Sequence, residues 1–165
     1  TVKIVANLPY YITTPIVMKL LEEKLNIESI TVMIQKEVAD RLTETPGGKN
    51  TGAITYCVYY YAEAQEVLTV PNTSFVPEPK VCSEVIKLNI RKEPPVALKD
   101  EKIFFKVVKA SFMQRRKTLL NGLTNAGIAS KEKLKEILQE LNLSENVRGE
   151  SLSIEKFAEI ANKLC

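Results

Sequence analysis

The chain has 165 residues, of which 45% are hydrophobic and 26% charged, with a net charge of +3. That length suits one ordinary domain or two small ones, and that composition excludes a disordered or fibrous chain. No apolar run approaches the roughly 18–20 residues that a membrane helix needs, and no signal peptide is visible. Histidine is absent, which removes the commonest metal ligand and the commonest neutral-pH base; no metal site is expected. Cys57, Cys82 and Cys165 are scattered and odd in number, and they read as reduced thiols of a cytoplasmic protein. Residues 1–92 carry ten basic and ten acidic residues, and residues 93–165 thirteen and ten, so the whole excess of three lies in the second part. That favours a polyanionic partner there.

Val2 to Ala6 reads as a short, buried strand. Thr13 or Thr14 is expected to cap a helix with Pro15 in its first turn, running to about Leu25 on the apolar face Ile16, Val17, Leu20, Leu21 and Leu25. Ile30 to Ile34 is a compact apolar run and reads as a buried strand. Val38 to Leu42 forms a helical turn or short helix. Thr43 to Gly52 is a loop by composition. Its glycines and Lys49 do not make a phosphate loop, because no strand leads into a Gly-x-x-x-x-Gly-Lys-Ser/Thr order. Ala53, Ile54, Cys57, Val58 and Tyr61 recur at helical spacing, and Tyr59-Tyr60-Tyr61 reads as packing.

Glu63 to Val70 and Val81 to Ile90 read as strands, the latter with Val81, Val85 and Leu88 buried. Pro71 to Lys80 is the loop between them. Arg91 to Asp100, with Pro94-Pro95, marks a domain boundary. Only helices follow. One is marked by Phe104, Val107, Val108, Ser111 and Phe112, and the next by Leu119, Leu120 and Leu123. Ser130 and Ser153 cap the last two. The fold class is therefore α/β for residues 1–92, half of a doubly wound sheet with an antiparallel edge, followed by a small all-α domain over 93–165.

Three stretches carry chemistry. In Asn7-Leu8-Pro9-Tyr10 the strand ends in a rigid turn. Asn7 offers a side-chain acceptor, and Leu8 is pushed to an extended conformation by Pro9. Tyr10 supplies a flat ring. An adenine N6 amine is a poor nucleophile, because its lone pair is delocalised into the ring. The Asn7 oxygen and the Leu8 or Pro9 carbonyl can hold its hydrogens and favour a pyramidal nitrogen, with Tyr10 stacked on the base. The bland alternative is a plain strand-to-helix turn. In Phe75-x-Pro77-x-Pro79-Lys80-Val81-x-Ser83 two prolines stiffen a loop that can present Phe75 as a second wall and Lys80 to a phosphate; alternatively Phe75 is core. In Ser111-Phe112-x-Gln114-Arg115-Arg116-Lys117 three successive cations cannot all pair on one helix face, which leaves some for phosphate or for solvent.

Together these stretches resemble the ribosomal RNA adenine N6-dimethyltransferases, most closely the bacterial small-subunit type. The resemblance rests on Asn7 to Ile12, Gln35 to Leu42 with Pro46-Gly47, Phe75 to Ile86, Phe112 to Leu123, and Arg148 with Leu152-Ser153 and Phe157 to Asn162. It implies S-adenosylmethionine as methyl donor and two adjacent adenosines of small-subunit ribosomal RNA as substrate. It implies that Asn7, Leu8, Pro9, Tyr10 and Phe75 form the catalytic site, with Asn7 also touching the cofactor. It makes Lys36, Arg41, Lys80, Arg115, Arg116 and Lys117 candidates for RNA contact. The family's glycine-rich loop and acidic ribose ligand are not in this sequence, which contains no Gly-x-Gly. The resemblance therefore implies a truncated form without the first three strands, which binds the cofactor weakly and is inactive alone. An open edge at Val2–Ala6 would then favour pairing with a partner or dimerisation. The rivals are a DNA adenine methylase, a large-subunit resistance methylase, and a non-catalytic RNA-binding or ribosome-assembly module.

Overall fold

The computed structural model describes residues 1–165 in full. The chain divides into two compact units, Thr1–Thr45 with Cys57–Pro94, and Pro46–Tyr56 with Pro95–Cys165.

The first unit is built on a four-stranded sheet. Its strands are β1 (Val2–Asn7), β2 (Ile27–Gln35), β3 (Ala62–Val70) and β4 (Ser83–Ile90), in the order β1-β2-β4-β3. β1 and β2 are parallel and are joined by the helix α1 (Thr13–Glu22). β4 runs antiparallel to both its neighbours. The antiparallel strand thus lies inside the sheet, between β2 and β3, rather than at the edge where the sequence placed it. Its burial pattern follows the pleat: Ile86 and Leu88 share a face and are fully buried, with the intervening residues only half-buried. The expected set is corrected by this register. Val81 precedes the strand and is exposed, and Val85 takes the opposite face from Ile86. Glu84 shares the buried face because the Thr69 hydroxyl, in the residue opposite it, donates to its carboxylate at 2.7 Å.

No threonine caps α1. A single 3-10 turn, Tyr10–Ile12, leads into the helix, and Thr13 lies within its first turn. The helix stops at Glu22, before Leu25, and Lys24 takes the left-handed conformation that ends many helices (φ 51°). Thr13, Val17 and Leu21 are its buried positions. α2 (Lys36–Thr43) follows β2 directly and buries Ala39 and Leu42.

The second unit contains α4 (Glu101–Met113), α5 (Leu119–Asn125), α6 (Lys131–Glu140) and α7 (Ile154–Leu164). The last three begin at Thr118, Ser130 and Ser153, and α4 at Asp100; each side chain accepts a backbone N–H of the first turn. α4 packs on α5 and α7, and α6 on the same two helices.

The helix α3 (Ala53–Tyr61) begins in this unit and ends in the first. Residues 46–56 therefore depart from the expected division at 92/93. Tyr56 supplies the physical reason. It is fully buried, its ring meets Phe157 edge-on at 4.8 Å and Phe112 at 5.7 Å, and its hydroxyl donates to the Leu152 carbonyl at 2.5 Å. The Gly149 carbonyl lies 3.3 Å from the same hydroxyl. Burial pushes this phenol well above its ordinary value, with the Glu150 charge adding to the effect. Gly149 itself admits no side chain, since a Cβ there would lie 2.9 Å from Ser111.

Candidate active site

In doubly wound sheets ligands gather beyond the carboxyl ends of the parallel strands. Asn7 closes β1 at that end, opposite Met33 of β2. Its side chain is exposed, and its amide makes no hydrogen bond within the protein. Leu8 and Pro9 then turn the chain. The Pro9 carbonyl already accepts the Ile12 N–H at 3.2 Å and the Thr13 hydroxyl at 3.2 Å. A carbonyl oxygen has two lone pairs, and both are occupied. The Leu8 carbonyl carries neither bond. The two acceptors left by the turn are therefore the Asn7 amide oxygen and the Leu8 carbonyl, and the Pro9 carbonyl is withdrawn from the expected set. Pro9 and Thr13 instead hold the turn in shape.

Tyr10 is half-buried and its hydroxyl meets Ser83 Oγ at 2.5 Å. Ser83 is fully buried at the start of β4, two strands from β1 in the sheet. This bond crosses 73 residues of sequence, and it fixes the ring near the end of the loop that carries Phe75. Nothing in the sequence around Ser83 marks it as a partner of Tyr10, because the two meet only through the sheet. Phe75 is half-buried, in extended conformation after a 3-10 turn. The loop is tied by the Asn72 amide, which donates to the Glu78 carboxylate at 3.0 Å and the Pro79 carbonyl at 3.3 Å. Lys80 is exposed and forms no ion pair.

The remaining basic residues divide. Lys36 bonds Asp40 at 2.5 Å and lies 3.3 Å from Glu66, and its ammonium is held above the ordinary 10.5, first by the Asp40 hydrogen bond. Arg41 pairs with Glu37 at 2.7 Å. Arg115, Arg116 and Lys117 are exposed and make no ion pair. They do not lie on a helix: α4 ends at Met113, and the triplet forms the turn before Thr118. That turn is closed by a bond from the Lys117 N–H to the Gln114 carbonyl at 2.9 Å. A shallow depression beside it is lined by Ser111, Arg115, Lys117 and Arg148 together with Glu150, which pairs with Arg148 at 4.0 Å.

A family model described as ribosomal RNA adenine dimethylase matches residues 1–164. A protein of Bacillus licheniformis named ribosomal RNA small subunit methyltransferase A is 54% identical over 99% of this chain and 57% of its own length. The protein of that name from Clostridioides difficile is 53% identical over 98% of this chain and 56% of its own. The chain thus spans little more than half the length of these relatives. Among solved structures, a dimethyladenosine transferase from Plasmodium falciparum superposes with a TM-score of 0.80 at 24% identity, covering 96% of this chain and 64% of that one. The 23S rRNA methyltransferase ErmE gives a TM-score of 0.69 at 22% identity, covering 98% and 64%. Both share the fold.

Proposed function

The chain belongs to the ribosomal RNA adenine dimethylase family, and on that premise we propose that the protein of which it is part methylates N6 of two adjacent adenosines in small-subunit ribosomal RNA. The observation that carries the reading is the pair of unspent acceptors, the Asn7 amide oxygen and the Leu8 carbonyl, beside a Tyr10 ring pinned by Ser83. Asn7 and Leu8 accept the two amine hydrogens and hold the nitrogen pyramidal, with its lone pair turned away from the ring system. Tyr10 and Phe75 stack on the two faces of the base and keep it out of the RNA helix. When bound, S-adenosylmethionine supplies an electrophilic methyl, and the exposed Asn7 amide at the carboxyl end of β1 is the residue of this chain that fits it. No strong base is required of the protein, because the methylated nitrogen becomes acidic and its proton passes to water.

Lys80 and the turn Arg115–Lys117 meet RNA phosphates, the turn belonging to a helical unit that serves RNA recognition. A cytoplasmic location follows from such a substrate. β1 is an outer strand of the sheet with Val2 and Val5 exposed, and unpaired strand edges recruit further strands. The 165-residue polypeptide is accordingly expected to self-associate through β1. Light scattering that shows a monomer at all concentrations would remove that part of the reading.

The test is to incubate the intact protein with S-adenosylmethionine and immature small subunits and to digest the RNA for mass spectrometry. Two neighbouring dimethyladenosines are expected. Binding to the subunits without methyl transfer would make the protein an assembly module, and methylation of large-subunit RNA would make it a resistance-type methylase; either result overturns the proposal.

A further inference from the structure

At the opposite end of the sheet lies an open cavity of about 170 Å³. Register places it there. Ala62 faces Ile90 and Asn89 faces Ser29, so Ala62 and Arg91 stand at the amino end of β2, whereas Asn7 faces Met33 near its carboxyl end. The separation along β2 is on the order of 15–20 Å at the rise of a strand. The cavity is therefore separate from the amine clamp, and one nucleotide cannot fill both.

Leu42, Thr43, Glu44, Tyr59, Glu63 and Arg91 contribute to its wall. The Arg91 guanidinium lies over the Tyr59 ring, 4.8 Å from its centroid. Its Nε donates to the Tyr59 carbonyl at 2.9 Å and one terminal nitrogen donates to the Glu63 carboxylate at 3.1 Å. These contacts fix the plane of the fork. A guanidinium has five N–H donors; two are used here, and three remain on the terminal nitrogens.

Size and charge then select the ligand. Sites for drug-sized ligands are usually about 300–1,000 Å³, so this one admits a single small ring system. Two carboxylates stand beside one guanidinium, which disfavours a phosphate or another anion. A neutral ring with paired acceptors on one edge and paired donors on another suits a fixed fork next to a carboxylate. Guanine has that pattern: its O6 and N7 accept from an arginine fork, and its N1–H and amino group donate to a carboxylate. Exposed base edges of this kind occur in unpaired RNA. We propose that this cavity is a subsite for an unpaired guanine base. Arg91 reads its acceptor edge and Glu63 its donor edge. The identification of RNA as the source of that base rests on the function proposed above.

The experiment titrates the intact protein separately with guanosine, adenosine, cytidine and inorganic phosphate, followed by the amide resonances of residues 42–45, 59–64 and 91. Guanosine is expected to bind at least tenfold tighter than the other three and to shift those resonances. Ala64→Phe, which fills the cavity from a half-buried strand position that tolerates an aromatic residue, is expected to lower guanosine affinity at least tenfold with an unchanged thermal midpoint. Arg91→Lys keeps the charge, loses the fork, and is expected to abolish the preference for guanosine. Equal binding of phosphate and guanosine, or wild-type guanosine affinity in Ala64→Phe, overturns the proposal. A second arm compares a single-stranded RNA containing one guanine with the same RNA lacking that base. Unchanged affinity overturns RNA as the source. Guanosine selectivity without any adenosine methylation would instead sink the proposed function and leave this site standing.

Discussion

Lys36 and Arg41 differ from Arg115, Arg116 and Lys117 in what their charges do. All five stand in stretches that resemble an RNA-modifying family. Lys36 and Arg41 lie on α2 with carboxylates one turn away, Lys36–Asp40 and Glu37–Arg41, and both charges are engaged within the protein. The triplet lies in a turn, where no i,i+4 partner is available, and its charges are unpaired. Here helical spacing spends two of the basic residues on their own chain, and the turn leaves the other three for a polyanion. The count of cations does not distinguish the two groups.

The largest effect expected from this contrast is on RNA binding. Replacing Arg115, Arg116 and Lys117 together with alanine should weaken binding to small-subunit RNA. It should also reduce the slope of log affinity against log salt by about 2 to 3, one contact per residue. Filter binding at several ionic strengths checks this; an unchanged slope would mean that the triplet only solvates its turn. Next in size is the support beneath the second unit. Tyr56→Phe keeps the ring between Phe112 and Phe157 but deprives the Leu152 and Gly149 carbonyls of their donor, at a cost of about 1–3 kcal/mol in urea unfolding. A neutral result would show that water replaces the hydroxyl.

Smaller again is the release of a paired cation. Asp40→Asn removes the first partner of Lys36 and should raise RNA affinity at low salt, by less than twofold, if pairing is what withholds that charge. Lys36→Met should leave RNA affinity unchanged and cost under about 1 kcal/mol, as expected for a pair more than a third exposed. The sign of its pH dependence is fixed. The folded value lies above the ordinary 10.5, so the contribution is complete below 10.5 and disappears as pH rises through the folded value. The stability difference between wild type and Lys36→Met should therefore be flat from neutral to mildly alkaline pH and vanish beyond.

Much of this was legible in the sequence. Pro9 after Asn7-Leu8 marks a strand end by local chemistry alone, and Ser130 and Ser153 signal helix starts because a cap is a local bond. The pairing of Lys36 with Asp40 was not legible, because the sequence suggests a helix only from Val38, whereas α2 begins at Lys36. What else the sequence hid depends on distant residues. Thr13 looks like a cap, yet its hydroxyl is drawn to the Pro9 carbonyl by the preceding 3-10 turn. Tyr56 shows nothing locally, since its partners lie 93 and 96 residues away. The alternation of Ile86 and Leu88 with Lys87 and Asn89 reports the buried face of β4, but its place between β2 and β3 is set by the sheet order, which no periodicity within the strand reports. Ser83 as the anchor of Tyr10 required the sheet order to be known.

The most direct test of the central claim is a kinetic comparison of Asn7→Ala with wild type in the intact protein, on immature small subunits. If Asn7 holds the amine in its reactive geometry, kcat should fall by about 10²-fold or more while RNA affinity stays within twofold. Wild-type turnover in the variant, or a loss of RNA affinity that accounts for the whole defect, would contradict it.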